Sequence, residues 1–228
     1  MTSGAGTRSV TASHLYSDVS AGALLQYVIR ATVTDDDGGM RVDQKTLNVT
    51  RAAPQVVDVL YGYGMNAWIN ATDVGARSAA WQITKIAVIF SRDVFVDVDD
   101  LKVVGVRVGN YAFAAFSYDA ATFTAVWTLA SPVDQDRITV SLDGDDASSD
   151  ANDGVRASAG FVTNGDQDDS LDVLFGDVNG DGTVNLLDAL LQRGRNGTND
   201  IWGDINGDGT VNLLDALLLR GRNGTSLP

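Results

Sequence analysis

Apolar and polar residues alternate in two runs within residues 25–49, and this alternation predicts two β-strands. In Leu25–Thr34, Tyr27 and Ile29 share one face with further apolar residues, while polar residues lie mostly on the other. This period of two is typical of a strand. A second such run covers Met40–Val49, and the Asp- and Gly-rich residues 35–39 between them are a turn signal. We therefore predict a β-hairpin.

Short β-patterned runs continue through the middle of the chain. They are rich in Val, Ile, Phe, Tyr, Trp and Thr, and Asp, Gly, Ser and Asn separate them; they cover residues 55–61, 83–90, 101–108, 111–118, 123–129 and 137–142. Many short strands at this spacing predict a β-sandwich. Residues 143–172 contain few large apolar side chains, so we predict long loops around one short strand near 160–162.

The periodicity changes from strand-like to helical near the C-terminus. Leucines recur at i, i+1, i+4 and i+5 in two places, and this stripe predicts two short amphipathic helices; the leucines are Leu186, Leu187, Leu190 and Leu191 in the first, and Leu213, Leu214, Leu217, Leu218 and Leu219 in the second. Basic residues and glycines then predict where each helix ends. We expect some of these leucines to pack between the two helices and the others to contact a partner.

Each predicted helix follows a copy of one twelve-residue segment. Residues 177–188 read DVNGDGTVNLLD, and residues 204–215 repeat them with Ile205 in place of Val178. Oxygen-bearing side chains stand at positions 1, 3, 5, 9 and 12, with glycine at position 6, which is the spacing of an EF-hand calcium loop. Position 12 is Asp where the common EF-hand has Glu, and the residues before each loop are too few for a preceding helix.

The repeat predicts two Ca²⁺ ions, because calcium prefers six to eight oxygen ligands in a flexible geometry. The threonine would bind through its backbone carbonyl, and the asparagine at position 9 directly or through water. The predicted ligands are Asp177, Asn179, Asp181, Thr183, Asn185 and Asp188 in the first loop, and Asp204, Asn206, Asp208, Thr210, Asn212 and Asp215 in the second. Three carboxylates in each loop repel one another without metal, so we expect folding of this segment to depend on calcium.

Residues 176–225 resemble the type I dockerin family in three respects: two units 27 residues apart, Asp at position 12, and no preceding helix. The resemblance implies a small all-α module that binds a cohesin domain when calcium is present. It also implies that the partner-binding residues are Leu186, Leu187, Arg193, Arg195, Leu213, Leu214, Arg220 and Arg222. Many family members carry hydroxyl residues where Leu186, Leu187, Leu213 and Leu214 stand, so the leucines predict a more apolar interface.

Two weaker resemblances concern the β regions. The run TVTDDDGG at residues 32–39 is similar to the last strands of a PKD-type immunoglobulin-like domain, and residues 86–94 with 100–101 and 116–119 resemble bacterial extracellular Ig-like modules. We therefore predict a multidomain, mainly β chain of Ig-like β-sandwich modules with a small C-terminal all-α dockerin. The predicted domains are a partial PKD-like module at 1–53, an Ig-like sandwich at 54–163, an acidic linker at 164–175 and the dockerin at 176–228.

Composition removes several classes of function. The net charge is −14, which disfavours nucleic acid and anionic membranes as partners. All 30 acidic residues are Asp, there is no Cys, and there is one His. Glu-dependent hydrolysis, thiol chemistry and multi-histidine metal sites are therefore excluded within one chain. No apolar run approaches the roughly 18 residues of a transmembrane helix, so we expect no membrane insertion.

These observations predict a non-catalytic protein, secreted or on the cell surface, that docks onto a cohesin-like partner and carries Ig-like spacer or adhesive domains. Half of a PKD-like sandwich and the lack of a signal peptide lead us to expect a fragment or a misplaced start. One alternative is the C-terminal part of a secreted polysaccharide-degrading enzyme, which would add an association with polysaccharide. The other is a calcium-stabilised adhesin without a cohesin partner.

Overall fold

The computed structural model describes residues 25–34, 37–49, 53–144, 154–157, 160–161 and 167–228. The chain forms two compact units, of which the second covers Ala53–Pro228. In the first unit, strand β1 (Leu25–Thr34) pairs antiparallel with β2 (Met40–Val49). The predicted hairpin is therefore confirmed. Most of the predicted PKD-like module, including residues 1–24, lies outside the described residues.

The second unit begins with the largest of the sheets that the structure describes. Five antiparallel strands lie in the order β4-β3-β5-β8-β7. The strands are β3 (Val56–Tyr63), β4 (Ala67–Asn70), β5 (Ile83–Phe90), β7 (Phe113–Asp119) and β8 (Thr124–Val133). A one-turn helix, α1 (Ala71–Val74), follows β4, and Asn70 caps it by accepting the Asp73 backbone N–H.

A three-stranded sheet in the order β12-β9-β6 faces the larger one. Its strands are β6 (Leu101–Gly105), β9 (Gln135–Leu142) and β12 (Gln167–Leu174), and the two-residue strands β10 (Arg156–Ala157) and β11 (Gly160–Phe161) pair separately. Side chains of both sheets meet in one buried cluster, in which Trp127 and Ile86 of the larger sheet lie with Val140 and Val173 of the smaller. The mainly β character of the chain follows from these two sheets.

The predicted fold class is wrong at the C-terminus, where no separate all-α domain forms. Helices α2 (Leu186–Gly194) and α3 (Leu213–Arg220) are short, and their leucine stripes are exposed, so the pair buries too little apolar surface to fold alone. The two loop-and-helix repeats instead share a second core with the sandwich. This core consists of Ala80, Leu174, Phe175, Val178, Val184, Ile205 and Leu219. None of the helices in the described ranges is long and apolar enough to cross a membrane.

The predicted acidic linker at 164–175 is also wrong for the residues that the structure describes. Residues 167–174 form β12, which pairs antiparallel with β9 along its whole length. Leu171 and Val173 point into the core, while Asp168 and Asp172 on alternate positions stay at the surface. Two of the three aspartates of β12 therefore lie on its solvent face, while Asp169 on the other face accepts the Tyr61 hydroxyl at 3.0 Å. This strand leads directly into the first loop.

Asp136 explains why β6 ends at Gly105 instead of at the predicted residue 108. Its fully buried carboxylate accepts hydrogen bonds from the backbone N–H groups of Arg107 (2.9 Å), Val108 (3.0 Å) and Arg137 (2.9 Å), and from the Tyr111 hydroxyl (2.9 Å). These bonds bend residues 105–111 over the carboxylate. Burial raises the pKa of Asp136, but the four hydrogen bonds outweigh burial and leave the pKa below its usual value.

Replacing Asp136 by Asn should lower the free energy of unfolding by about 2 kcal/mol at pH 7, because each hydrogen bond to a charged acceptor contributes roughly 1.5–3 kcal/mol. The pKa is lower in the folded state, so the stabilisation is complete above the unfolded-state pKa of about 3.9 and is lost as the pH falls through the folded-state pKa. Urea denaturation of both proteins between pH 3 and pH 7 measures this. Tyr111→Phe removes one bond and should cost about 1 kcal/mol. A difference between wild type and Asp136→Asn that grows in acid would contradict the assignment.

Candidate metal centre

The first loop, residues 177–188, folds around the carboxylates at its two ends. Asp177 accepts the backbone N–H of Gly182 at 2.7 Å, which draws the middle of the loop towards its start. Asp188 accepts the N–H of Asn179 at 3.0 Å and that of Asn185 at 2.8 Å. The loop is thus closed by hydrogen bonds between predicted ligands and its own backbone.

The second loop, residues 204–215, repeats this geometry. Asp204 accepts the Gly209 N–H at 2.7 Å, and Asp215 accepts the N–H groups of Asn206 (3.1 Å) and Asn212 (2.8 Å). The glycines at position 6 have positive φ, +85° in the first loop and +96° in the second, as the sharp turn requires. Both loops therefore turn sharply at position 6.

The aspartate at position 12 also starts each helix. Asn185 is the N-cap of α2 and accepts the Leu187 N–H, while Asp188 accepts the Asn185 N–H in return. Asn212 and Asp215 form the same capping box on α3. A capping box satisfies two backbone donors that a helix start would otherwise leave open. Loop closure and helix initiation therefore depend on the same carboxylate.

Each loop is completed by the residues that follow the other unit's helix. The Val211 backbone of the second loop exchanges hydrogen bonds with Gly197 and Thr198, which come after α2, both at 2.8 Å. In the same way the Val184 backbone of the first loop pairs with Gly224 (2.8 Å) and Thr225 (2.9 Å), which come after α3. The two loop-and-helix repeats are consequently related by an approximate two-fold symmetry, in which each repeat completes the loop of the other.

Four predicted ligands are buried carboxylates: Asp177, Asp188, Asp204 and Asp215. Burial is the largest cause that raises the pKa of Asp177 and of Asp204, and the charge at position 12 of the same loop raises each further. Hydrogen bonds to each carboxylate lower its pKa but do not cancel these effects. Within the described ranges, no Lys, Arg or His forms an ion pair with any of the four. Each loop therefore holds buried negative charge without a counter-charge from the protein.

The predicted ligands at positions 5 and 7 lie at the surface. Asp181 and Asp208 are exposed, and each accepts hydrogen bonds from the threonine at position 7 and the asparagine at position 3. These hydrogen bonds lower the pKa of both aspartates, so both stay ionised at neutral pH. The asparagines at positions 3 and 9 are half-buried.

The side chains present fit a hard divalent cation. No group of three or more Asp, Glu, His or Cys side chains comes together in the described residues. Positions 3 and 9 are Asn, however, and their amide oxygens and the loop carbonyls are calcium ligands as well. Because all donors are oxygens and the buried charge lacks a counter-charge, Asp177, Asp188, Asp204 and Asp215 would hold Ca²⁺ with the neighbouring oxygens.

The leucines predicted to contact a partner lie on the surface, and of the predicted stripes Leu219 alone is buried. The other eight stripe leucines are 39–71% exposed. Gln192 and Leu219 occupy equivalent buried positions of the two helices, and Gln192 donates to the Asn212 carbonyl at 3.1 Å. Leu219 packs in the core that the loops share with the sandwich.

The four predicted partner-binding arginines separate into two pairs. Arg195 lies 3.3 Å from Asp200, and Arg222 lies 2.9 Å from Asp134 of the sandwich, so both make ion pairs within the chain. Arg193 and Arg220 are exposed beside the leucine stripes. Only these two therefore share an accessible surface with the predicted leucines.

Three side chains of residues 77–81, outside the repeat, donate hydrogen bonds to the loops: Ser78 to Asp177, Arg77 to the Val178 carbonyl, and Trp81 to the Asp204 carbonyl. Residues 71–82 have no regular periodicity, so the sequence pattern carried no signal for them. Their contacts arise only where the sandwich meets the loops.

No protein-family model matches the chain, and no curated protein matches it. The functional proposal therefore depends on the residues and contacts of the two loops and their helices.

Glycine at position 4 of the second loop should tolerate a side chain less well than glycine at position 6. Both Gly207 and Gly209 have positive φ, so Ala costs about 1–2 kcal/mol of backbone strain at either position. A Cβ on Gly207 would also lie 2.6 Å from the backbone of Gly64 in the sandwich, whereas one on Gly209 meets nothing within 4 Å. Gly207→Ala should therefore be the more destabilising by a further 1–3 kcal/mol, roughly.

Urea denaturation of the two glycine variants in a chelating buffer measures this difference without metal. Equal losses of stability would show that the second loop does not pack against the sandwich in solution.

Proposed function

We propose that this chain is a non-catalytic protein that binds two Ca²⁺ ions and docks onto another protein through the helices that follow its calcium loops. One observation carries the proposal: each loop with uncompensated buried carboxylates starts a helix whose leucines are exposed. A folded chain rarely exposes two such stripes unless they bind something. The geometry of the loops and the exposure of the helices therefore support one function in two steps.

The first step is calcium binding. A bound calcium ion supplies positive charge to the carboxylates at positions 1 and 12, whose mutual repulsion and burial otherwise oppose the folded loop. Asp188 and Asp215 transmit this effect to the helices, because each also forms the capping box of the helix that follows. Calcium thus has a structural role that sets where α2 and α3 begin.

The second step is docking through the leucine faces. Leu186 and Leu187 on α2 and Leu213 and Leu214 on α3 are among the most exposed apolar residues of the described chain. Arg193 and Arg220 lie near the ends of the same helices and are accessible to acidic groups of a partner. The resemblance of residues 176–225 to type I dockerins makes a cohesin-like domain the partner that we propose.

The approximate two-fold relation of the two units supports docking in two orientations. The helices carry the same leucines at the same positions, and each unit completes the loop of the other. A partner that binds the α2 face could therefore bind the α3 face in a related way.

A second candidate is a calcium-stabilised adhesin without a cohesin partner. It is favoured by the core that the loops share with the sandwich, because calcium would then stabilise the β unit itself. In this case calcium binding stabilises the chain, but no cohesin domain binds.

Calorimetric titration of the full chain should show two bound Ca²⁺ ions. Asp188→Asn and Asp215→Asn should each remove one ion, because each replaces a buried carboxylate by a neutral group of the same size. Calcium at 100 times the dissociation constant should raise the free energy of unfolding by about 2.7 kcal/mol for each site, and chelator should reverse this.

The matched control for the calcium titration is Asp168→Asn, which changes an exposed carboxylate of β12 and should leave both ions bound. Absence of binding at millimolar calcium would refute the proposed function.

Charged substitutions on both leucine faces should weaken docking. Binding of type I cohesin domains to the immobilised chain in calcium, measured by biolayer interferometry, should weaken at least tenfold in a Leu187→Asp, Leu214→Asp double variant, since a buried hot-spot residue contributes about 2 kcal/mol or more. Either single variant should retain binding, because the other helix still offers an intact face.

Val57→Asp is the control for docking, since Val57 is an equally exposed apolar residue of the sandwich. All variants should still bind two Ca²⁺ ions. If no cohesin domain binds the wild type while calcium still stabilises it, the adhesin alternative is favoured; if the double variant binds as well as the wild type, the leucine faces are not the docking surface.

A further inference from the structure

Residues 77–81 of the sandwich lie against both calcium loops, and we call them the 77–81 segment. The segment runs between α1 and β5 and pairs in parallel with β12 through Ala79 and Val173. The Gly176 N–H donates to the Ala80 carbonyl at 3.0 Å, so this pairing continues to the residue before Asp177. The segment is therefore held by the backbone at the point where the first loop begins.

Two side chains of the segment contact the first loop. The hydroxyl of Ser78, which is buried, donates to the Oδ2 atom of Asp177. The guanidinium of Arg77 donates to the Val178 carbonyl at 2.8 Å, and a Cβ on Gly180 would lie 2.6 Å from its Nε atom. Ser78 thus orients the carboxylate at position 1, and Arg77 covers the backbone at positions 2 to 4.

The second loop contacts a different residue of the segment. The indole N–H of Trp81 is shared between the carbonyls of Ile201 and Asp204, each at 3.0 Å. Trp81 is fully buried, and its ring lies against Tyr63 (4.4 Å between centroids) and Trp202 (4.9 Å). An indole in this position can move little, so it fixes the backbone at position 1 of the loop.

The two loops are nearly identical in sequence, yet the sandwich contacts them through unlike groups. We propose that Ser78 and Trp81 are positioning residues for calcium, Ser78 for the first loop alone and Trp81 for the second loop alone. The two sites consequently differ in calcium affinity, and the difference originates in the sandwich. This inference rests on the proposed calcium binding and goes beyond it, because it assigns residues outside the repeat to the two sites.

The calcium affinity of each loop can be measured by itself in a full-length variant whose other loop no longer binds calcium. Asp215→Asn leaves the first loop, and Asp188→Asn leaves the second. Adding Ser78→Ala should lower the calcium affinity of the first loop about tenfold and leave the second unchanged, since loss of a residue that orients a metal ligand typically costs 10–100-fold. Trp81→Phe, which keeps a ring but removes the N–H donor, should do the reverse.

Ser141→Ala is the matched control. Ser141 also donates a hydrogen bond to an aspartate, Asp168, but this pair lies on the exposed side of the smaller sheet. The control should leave both affinities unchanged. A general loss of stability would weaken both loops together, so selectivity for one loop distinguishes positioning from a purely structural role. Equal effects on the two loops, or none, would overturn the proposal.

Hydrogen exchange of the full chain in chelator provides a test that does not require bound calcium or a folded Trp81 variant. The backbone N–H groups of Gly180 and Gly182 both donate to Asp177. Ser78→Ala should therefore raise their exchange rates several-fold, while Gly209 of the second loop is unaffected. If the wild type binds no calcium, the proposed function fails and exchange alone decides the Ser78 assignment. If it binds two ions but no variant is selective, the positioning proposal alone fails.

Discussion

Buried like charge at the border between the loops and the sandwich is the constraint on which the C-terminal half of this protein depends. Asp177 and Asp188 lie buried within one short loop, and Asp204 and Asp215 do so in the next. Burying a carboxylate is unfavourable unless hydrogen bonds and an opposite charge compensate it. The loop amides and Ser78 supply hydrogen bonds, and an oxygen-coordinated cation would supply the charge. The position of both helices follows from this arrangement, because Asp188 and Asp215 also cap them.

The sandwich does more than separate modules. Its second core encloses Val178 and Ile205, the apolar residues at position 2 of the loops, together with Leu174 and Phe175. Two helices of nine and eight residues would be marginal by themselves, so the apolar surface that holds the loops must come from the β unit. The leucine stripes are consequently left exposed on the outer surface.

The backbones of the two C-terminal loop-and-helix repeats follow an approximate two-fold relation, but the contacts of the two repeats with the sandwich differ. Gly197 and Thr198 complete the second loop just as Gly224 and Thr225 complete the first. The sandwich lies on one side of this pair and presents different groups to the two loops: the Ser78 hydroxyl and the Arg77 guanidinium to the first, and the Trp81 indole to the second. Two loops of nearly equal sequence thereby acquire different environments, which is the physical origin of the non-equivalence that we infer.

Local patterns determined much of this protein. Alternation identified the β1–β2 hairpin, composition identified most strands of the sandwich, and the leucine stripes identified both helices, since these features depend on neighbouring residues. Only the tertiary structure decided that β12 replaces the linker, that Asp136 ends β6, that Gln192 and Leu219 are the buried side chains of α2 and α3, and that Ser78 and Trp81 reach the loops. Each of these depends on residues distant in sequence that compete for one buried space, and periodicity along the chain carries no information about such competition.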